Sequence, residues 1–137
     1  MGIVGLMAAG ALALVGAPGN ADSSAPRLAP TCHGVAATIV GTPASNEIQG
    51  TGHRDVIVGL GGNDDIEALG GNDLVCGGNG SDELEGDAGN DTLRGGSGND
   101  DLEGDRGDDR LFGGFGYDEA EGDQGNDVCH AEVVQSC

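Results

Sequence analysis

Aspartate recurs at a fixed interval through most of the chain. It occupies every ninth position from Asp55 to Asp127 without an insertion. Glycines precede each aspartate, and they favour tight turns whose backbone carbonyls are exposed. Each turn therefore offers one carboxylate together with carbonyl oxygens, which is the ligand set of a hard cation. Because Ca²⁺ accepts six or more oxygens in flexible geometry, this pattern favours Ca²⁺ over Mg²⁺.

The segment that must position these carboxylates is a run of ten nine-residue blocks from Gly41 to His130. Glycine opens nine of the blocks, Ala68 being the exception, and glycine holds position four from Gly62 to Gly125. Position eight is Ile48, Ile57, Ile66, Val75, Leu84, Leu93, Leu102, Leu111, Ala120 and Cys129. Positions one to six predict a turn, and positions seven to nine predict a short strand whose middle residue faces one side. Two blocks make a coil of 18 residues, and stacked coils give two facing parallel sheets.

This unit resembles the calcium-binding RTX (repeats-in-toxin) nonapeptide, the hemolysin-type calcium-binding repeat, over 90 of the 137 residues. The resemblance implies an all-β fold, a parallel β-roll or right-handed β-solenoid of about five 18-residue coils. It also implies that Ca²⁺ lies between turns stacked on one edge, bound by turn carbonyls and position-six carboxylates. By position, the implied metal ligands are Asp55, Asp64, Asp73, Asp82, Asp91, Asp100, Asp109, Asp118 and Asp127. Asn46 and His53 depart from the pattern, so the first coil is expected to bind weakly or to serve as a cap.

The number of turns limits the number of ions. Ten turns give five on each edge, hence four gaps per edge and at most about eight Ca²⁺. Residues 41–130 hold 22 acidic and four basic side chains, so their net charge of −18 is close to what eight Ca²⁺ would neutralise. The position-eight side chains form a thin core that cannot offset the conformational entropy of ordering the repeats. The protein is therefore expected to fold on binding calcium.

The two halves of each coil differ in charge. Position nine is Glu67, Glu85, Glu103 and Glu121 in alternate blocks, but Val58, Cys76, Arg94, Phe112 and His130 in the others. One sheet should therefore have an acidic outer face and the other a mixed face. The turns that carry Asp87, Asp105 and Asp123 are expected to bind cations first or to hold extra ones. The mixed face is the candidate surface for a partner such as a cell surface or a polysaccharide, the alternative being a tolerated solvent face.

Four cysteines follow a segment typical of exported proteins, which indicates two disulfides in an oxidising compartment. Three connectivities are open. Cys129 with Cys137 is the local pair, and Cys32 with Cys76 follows by elimination. If Cys32 kept the nine-residue register, it would lie too far from Cys76 for a disulfide, so the N-terminal segment must leave the register and fold back. A zinc site with His33 and His130 is disfavoured because no Cys-x-x-Cys pair exists.

The sequence divides into four segments. Residues 1–21 contain an apolar run and small residues before Asp22, as in a signal peptide, although a basic n-region is missing. Residues 22–40 are expected to be a linker and N-terminal cap, residues 41–130 the β-roll and residues 131–137 a C-terminal cap. The apolar run is shorter than the roughly 20 residues that a stable membrane span requires. Secretion to the exterior or the cell surface is the expected localisation.

Composition excludes several functions. The chain has no lysine and only five arginines against 24 acids, so it is not expected to bind nucleic acid. No lysine follows the glycine-rich segments as in a P-loop, and no insertion builds a cleft around the acids as in a glycosidase. The favoured function is a secreted, non-catalytic, structural or surface-binding module that binds calcium. The alternative is an accessory or remnant module of a secreted hydrolase or toxin, although too few residues lie outside the repeats for a catalytic domain.

Overall fold

The computed structural model describes residues 2–4 and 28–137, and its regular elements are all β-strands. Strands alternate between two parallel sheets, and equivalent strands in successive coils are 18 residues apart, as in the pairing of Leu93 with Leu111. The chain is thus a parallel β-solenoid of about five coils, which confirms the fold predicted from the repeat. No helix in the described part of the chain is long and apolar enough to cross a membrane.

The first sheet carries the short strands. Its order is β1-β5-β7-β9-β11-β13-β15. The bounds are β1 Gly2–Val4, β5 Asn46–Gln49, β7 Asp65–Glu67, β9 Glu83–Glu85, β11 Asp101–Glu103, β13 Glu119–Glu121 and β15 Val133–Gln135. Strands β7, β9, β11 and β13 cover positions seven to nine of their blocks, as predicted. Glutamates and aspartates at position seven point to solvent, which gives this sheet its acidic outer face.

The second sheet has the order β14-β12-β10-β8-β6-β4 and carries longer strands. The bounds are β4 Ile39–Val40, β6 Val56–Gly61, β8 Leu74–Asn79, β10 Thr92–Ser97, β12 Arg110–Phe115 and β14 Val128–His130. Four of these strands have six residues, twice the length expected from positions seven to nine. The difference arises because pairing continues into the next block, where Gly96 lies opposite Gly114 and Gly78.

The core is the column of position-eight side chains between the two sheets. From Ile48 to Leu111 these residues are at most 1% exposed, and Ala120 is 2% exposed. Ile39 and Ala68 join the same cluster, and Cys129 packs against it as a partly buried member. Alternate residues on the strands point outward, so strands such as β7 and β9 each contribute one side chain to the core. The column predicted from the repeat is therefore confirmed.

A second apolar cluster lies under an antiparallel hairpin of β2 Thr31–Cys32 and β3 Val35–Ala36. Cys32 is fully buried there, with Val40, Val56 and Val58 as neighbours. Cys32 forms a disulfide with Cys76 at a Cα–Cα distance of 5.6 Å. The N-terminal segment has thus left the repeat register, as the geometric argument required.

The second disulfide joins Cys129 and Cys137 at a Cα–Cα distance of 6.1 Å. All four cysteines are therefore paired, and none is free to bind zinc.

Part of the predicted signal peptide borders the roll. The backbone of Gly2–Val4 pairs in parallel with Asn46–Ile48 at the edge of the first sheet. The rest of residues 1–21, and residues 22–27 of the predicted linker, lie outside the described residues. The signal peptide remains a prediction.

Candidate metal centres along the turns

Backbone conformation makes glycine necessary at position four. From Gly62 to Gly116 this residue has φ between 89° and 140°, a region that side chains rarely allow. A Cβ at Gly98 would collide with the carbonyl oxygen of Gly80, one coil earlier, and Gly116 stands in the same relation to Gly98. The position-four carbonyls therefore point along the stack into the gap between turns. This is the carbonyl supply that the sequence predicted.

Glycine at position one makes room for the aspartate of the same block. A Cβ on Gly86 would lie 2.8 Å from Oδ2 of Asp91, and one on Gly104 would lie 2.7 Å from Oδ2 of Asp109. The same Cβ on Gly86 would approach the carbonyl oxygen of Gly104 within 3.0 Å. Because glycine has no side chain at position one, the carboxylate oxygen can lie beside a carbonyl of the following coil.

The position-six aspartates form a ladder along each edge. From Asp64 onward, the Oδ1 atom of each aspartate accepts a hydrogen bond of 2.7–2.9 Å from the backbone N–H of position six in the previous coil. Asp64 to Asp118 are at most 3% exposed, and Asp127 is half-buried. The acceptors on one edge are Asp64, Asp82, Asp100 and Asp118, and those on the other are Asp73, Asp91, Asp109 and Asp127.

The second oxygen of each of these carboxylates is buried without a partner. Among residues 28–137, Oδ2 has no hydrogen bond in Asp64, Asp73, Asp82, Asp91, Asp100, Asp109, Asp118 and Asp127. Burying a charged oxygen unpaired is costly, so such atoms require a compensating donor or cation. Carbonyls of the next coil lie beside the buried oxygens of Asp64, Asp82, Asp91 and Asp109. Together these atoms form a donor set made of oxygen alone, which fits Ca²⁺.

The pKa values of the position-six aspartates also indicate a cation site. Burial is the largest cause of a raised pKa along both edges, and it raises the pKa of Asp91 to about 7. The pKa values of Asp73, Asp82 and Asp109 are raised by burial to about 6. Neighbouring carboxylates add to the increase, and the accepted backbone hydrogen bond opposes it. The site therefore disfavours charged carboxylates unless a cation is bound.

The repeats of this chain match a known family. The family of the RTX calcium-binding nonapeptide repeat (4 copies) matches residues 40–75, 77–111 and 103–132, which is more than half of the chain. The chain belongs to this family. The resemblance drawn from the repeat is thereby confirmed, and the protein is a calcium-binding β-roll module. No curated protein and no solved structure matches the chain.

The first two RTX turns differ from the other eight. Oδ2 of Asp55 accepts hydrogen bonds from the backbone N–H of Thr51, at 2.7 Å, and from its hydroxyl, at 2.8 Å. Oδ1 of Asn46 likewise accepts a 2.6 Å hydrogen bond from the N–H of Thr42. Threonine at position two thus supplies the donors that the other carboxylates lack. Of the two roles expected for the first coil, this geometry favours the cap.

Sequence reasoning missed a second ladder at position five. The side-chain oxygen of Asn63 accepts a hydrogen bond from the N–H of Ser81 at 3.0 Å, one coil later, and that of Asn90 accepts one from Asp108 at 3.1 Å. These bonds run in the opposite direction to those of position six. The sequence does contain a signal for this ladder, because position five of the RTX repeats is mostly Asn, Ser or Asp. Such short polar side chains readily bond to nearby backbone groups.

Outside the ladder, the structure brings together the extra carboxylates of one edge. Ligand atoms of Glu85, Asp87 and Asp105 lie within 4.8 Å of one another, and so do those of Glu103, Asp105 and Asp123. Burial raises the pKa of Glu85, Asp87 and Glu103, and repulsion among these carboxylates raises it further. The extra cation capacity expected of this edge stays a prediction.

The mixed face of the second sheet carries a stack of side chains at position nine. The guanidinium carbon of Arg94 lies 4.5 Å from the ring centroid of Phe112, and the Phe112 ring stacks on His130 at 5.2 Å. Position nine therefore links three successive coils through side-chain contacts. These contacts give the stack a structural role within the RTX roll.

Proposed function

We propose that this protein is a secreted, non-catalytic calcium-binding module that folds when its turns bind Ca²⁺ and then acts as a structural or surface-binding element. One observation carries the proposal: eight carboxylate oxygens have no hydrogen-bond partner in the described residues, and seven of the eight aspartates are at most 3% exposed. A fold that buries so many unpaired anionic oxygens is unstable without cations. Folding and ion binding should therefore be one process.

The residues that would hold each ion follow from the turn geometry. The aspartate contributes Oδ2, because its Oδ1 is already bonded to the backbone of the previous coil, as in Asp91 and Asp109. Carbonyls of positions one and four face the same gap, since that of Gly104 approaches Gly86 and that of Gly89 approaches Gly107. Bound Ca²⁺ would supply the positive charge that neutralises the carboxylates.

The proposed stoichiometry of these gaps is eight. The number of unpartnered Oδ2 atoms, eight from Asp64 to Asp127, equals the number of gaps between the ten stacked turns. Asp55 is set apart from the predicted ligands because Thr51 already bonds to its Oδ2. We therefore propose Asp64, Asp73, Asp82, Asp91, Asp100, Asp109, Asp118 and Asp127 as the carboxylate ligands.

Two features support an extracellular setting. Both disulfides require oxidising conditions to form and persist. Calcium sites of extracellular modules usually have dissociation constants of about 10⁻⁴–10⁻³ M. Extracellular fluids hold enough Ca²⁺ to fill sites of that affinity. The alternative, an accessory module of a secreted hydrolase or toxin, uses the same calcium-dependent fold and differs only in what is attached to it.

The experiment is a calcium titration followed by circular dichroism, starting in chelator. The expected result is an unfolded spectrum in chelator and a cooperative gain of strand signal with Ca²⁺. Mg²⁺ at the same concentrations should give little signal, because it dehydrates reluctantly and demands octahedral geometry. A full strand spectrum in chelator would show that folding does not depend on the ion.

A further inference from the structure

The chain forms a shortened eleventh turn that the nine-residue pattern does not show. Strand β15 pairs with β13 so that Val133 lies opposite Glu119, Val134 opposite Ala120 and Gln135 opposite Glu121. These partners are 14 residues apart, whereas the partners in the preceding coils are 18 apart. Residues 131–135 therefore stand at positions five to nine, and the glycine-rich positions one to four are missing.

Glu132 stands at position six of this shortened turn. Its Oε2 accepts a 2.9 Å hydrogen bond from the backbone N–H of Asp118. Asp118 makes the same bond one coil earlier, where its Oδ1 accepts from the N–H of Asp100 at 2.9 Å. One carboxylate oxygen of Glu132 is thus used as in every aspartate of the ladder.

The backbone beside Glu132 confirms the register. The N–H of Val133 donates to the carbonyl of Asp118 at 3.0 Å, just as the N–H of Glu119 donates to the carbonyl of Asp100 at 2.9 Å. The disulfide between Cys129 and Cys137 closes the segment on both sides of Glu132. The glutamate is therefore held in place by paired backbone and by a covalent link.

We infer that Glu132 is the carboxylate ligand of a ninth calcium site, in the gap between the turn that ends at Asp118 and the shortened turn. The inference rests on the proposed function, since it extends the same row of ions by one. By the repeat geometry, the turn at residues 113–118 would supply carbonyls to one side of this gap, as Gly98 does in the gap before it, and the shortened turn lacks the positions that would supply the other side. Glu132 is exposed, whereas Asp118 is fully buried. With fewer protein oxygens and more solvent, this site is the weakest of its edge and fills last.

One variant distinguishes a metal ligand from a residue that only accepts the hydrogen bond from Asp118. Glu132→Gln keeps a side-chain oxygen that can accept the hydrogen bond from Asp118, but it removes the charge. If Glu132 only satisfies that N–H, this variant behaves like the wild type. The matched control is Glu119→Gln, which removes one charge from an exposed position on the neighbouring strand.

Calcium stoichiometry and terbium luminescence together give the readout. Tyr117 immediately precedes Asp118 and is the single tyrosine of a chain without tryptophan. Under excitation that phenylalanine does not absorb, it alone sensitises Tb³⁺ bound in the adjacent gaps. We expect Glu132→Gln to bind one Ca²⁺ fewer than Glu119→Gln, with the weakest binding step missing. Its tyrosine-sensitised Tb³⁺ emission at saturation should also be lower.

The outcomes separate this inference from the proposed function. Equal stoichiometry and equal Tb³⁺ emission in the two variants would overturn the ninth site and leave the other eight in place. A wild-type protein that binds no Ca²⁺ would overturn the proposed function itself. Circular dichroism in saturating Ca²⁺ checks that both variants are folded, and Glu132→Asp provides a second test. Its carboxylate is one methylene shorter, so we expect weaker binding at the last step with an unchanged number of ions.

Discussion

The backbone N–H of Asp91 donates a 2.7 Å hydrogen bond to Oδ1 of Asp109, whose Oδ2 is buried and has no partner among the described residues. The two oxygens of one carboxylate thus have different tasks. Oδ1 fixes the stacking of coils, and Oδ2 is left for a ligand. Because every gap repeats this division, coil stacking and ion binding depend on the same side chains.

Proton competition should weaken calcium binding in mild acid. Burial raises the pKa of Asp91 to about 7 and those of Asp73, Asp82 and Asp109 to about 6, against about 3.9 in an unfolded chain. Calcium must displace these protons, so its apparent affinity should fall as the pH is lowered from 8 to 5. Calorimetric titrations at several pH values measure this, and a constant affinity over that range would contradict it.

The ion-free protein should respond to pH in the opposite sense. With raised carboxylate pKa values, the folded state binds more protons than the unfolded state between about pH 4 and pH 7. The stability of the ion-free fold therefore falls as the pH rises through this window. Circular dichroism in chelator should show more strand signal near pH 4.5 than at pH 7.5.

Sequence alone predicted the periodic part of this structure. The core position of Leu93 and the turn position of Asp91 follow from the nine-residue repeat, because each coil repeats the environment of the one before it. The hydrogen bonds from Thr51 to Asp55 and the shortened turn at Glu132 do not follow from it. Both occur where an RTX turn has another RTX turn stacked on one side only, so local chemistry replaces the repeat. The length of β12 was also missed, since strand pairing continues through glycines that the pattern assigned to the turn.

Replacement by alanine should destabilise the protein at glycines that touch a carbonyl of the neighbouring coil, but not at glycines with open space around them. In Gly107→Ala the new Cβ would collide with the carbonyl oxygen of Gly89, at a φ of 134° that alanine avoids. We expect a loss of about 1–3 kcal/mol in the free energy of unfolding of the calcium-bound protein. Gly52→Ala is the control, because its Cβ would meet no atom within 4 Å. Its effect should stay within about 0.5 kcal/mol in thermal or chemical denaturation.

The outer carboxylates of one edge should add to calcium binding. Asp87, Asp105 and Asp123 have φ between 64° and 68°, so glycine relieves backbone strain while it removes the charge. The triple replacement by glycine should therefore leave the fold intact in saturating Ca²⁺ but lower the affinity or the number of bound ions. Calorimetry measures both quantities. A triple variant that binds like the wild type would show that these carboxylates are only a solvated surface.

The first two RTX turns, in which a threonine bonds to the position-six side chain, should keep their structure at calcium concentrations too low to order the other turns. Thr51 bonds to Asp55, and the disulfide of Cys32 with Cys76 anchors the same end of the roll. In limiting Ca²⁺, hydrogen exchange should therefore be slower in residues 31–58 than in residues 86–130. Thr51→Val removes the hydroxyl bond and should cost about 1 kcal/mol, with faster exchange in the first segment. Uniform exchange along the roll would contradict this order.

The sharpest contrast is between two aspartates at the same position of the repeat. Asp91→Asn removes the charge from an unpartnered oxygen in the middle of one edge, whereas Asp55→Asn changes an oxygen that Thr51 already bonds. Asparagine is native in the equivalent turn of the first block, where Asn46 bonds to Thr42. We therefore expect Asp91→Asn to bind at least one Ca²⁺ fewer and to need more Ca²⁺ to fold, while Asp55→Asn keeps the wild-type stoichiometry. Equal losses in the two variants would mean that Asp55 is a metal ligand like the rest, and that its bond to Thr51 gives way when calcium binds.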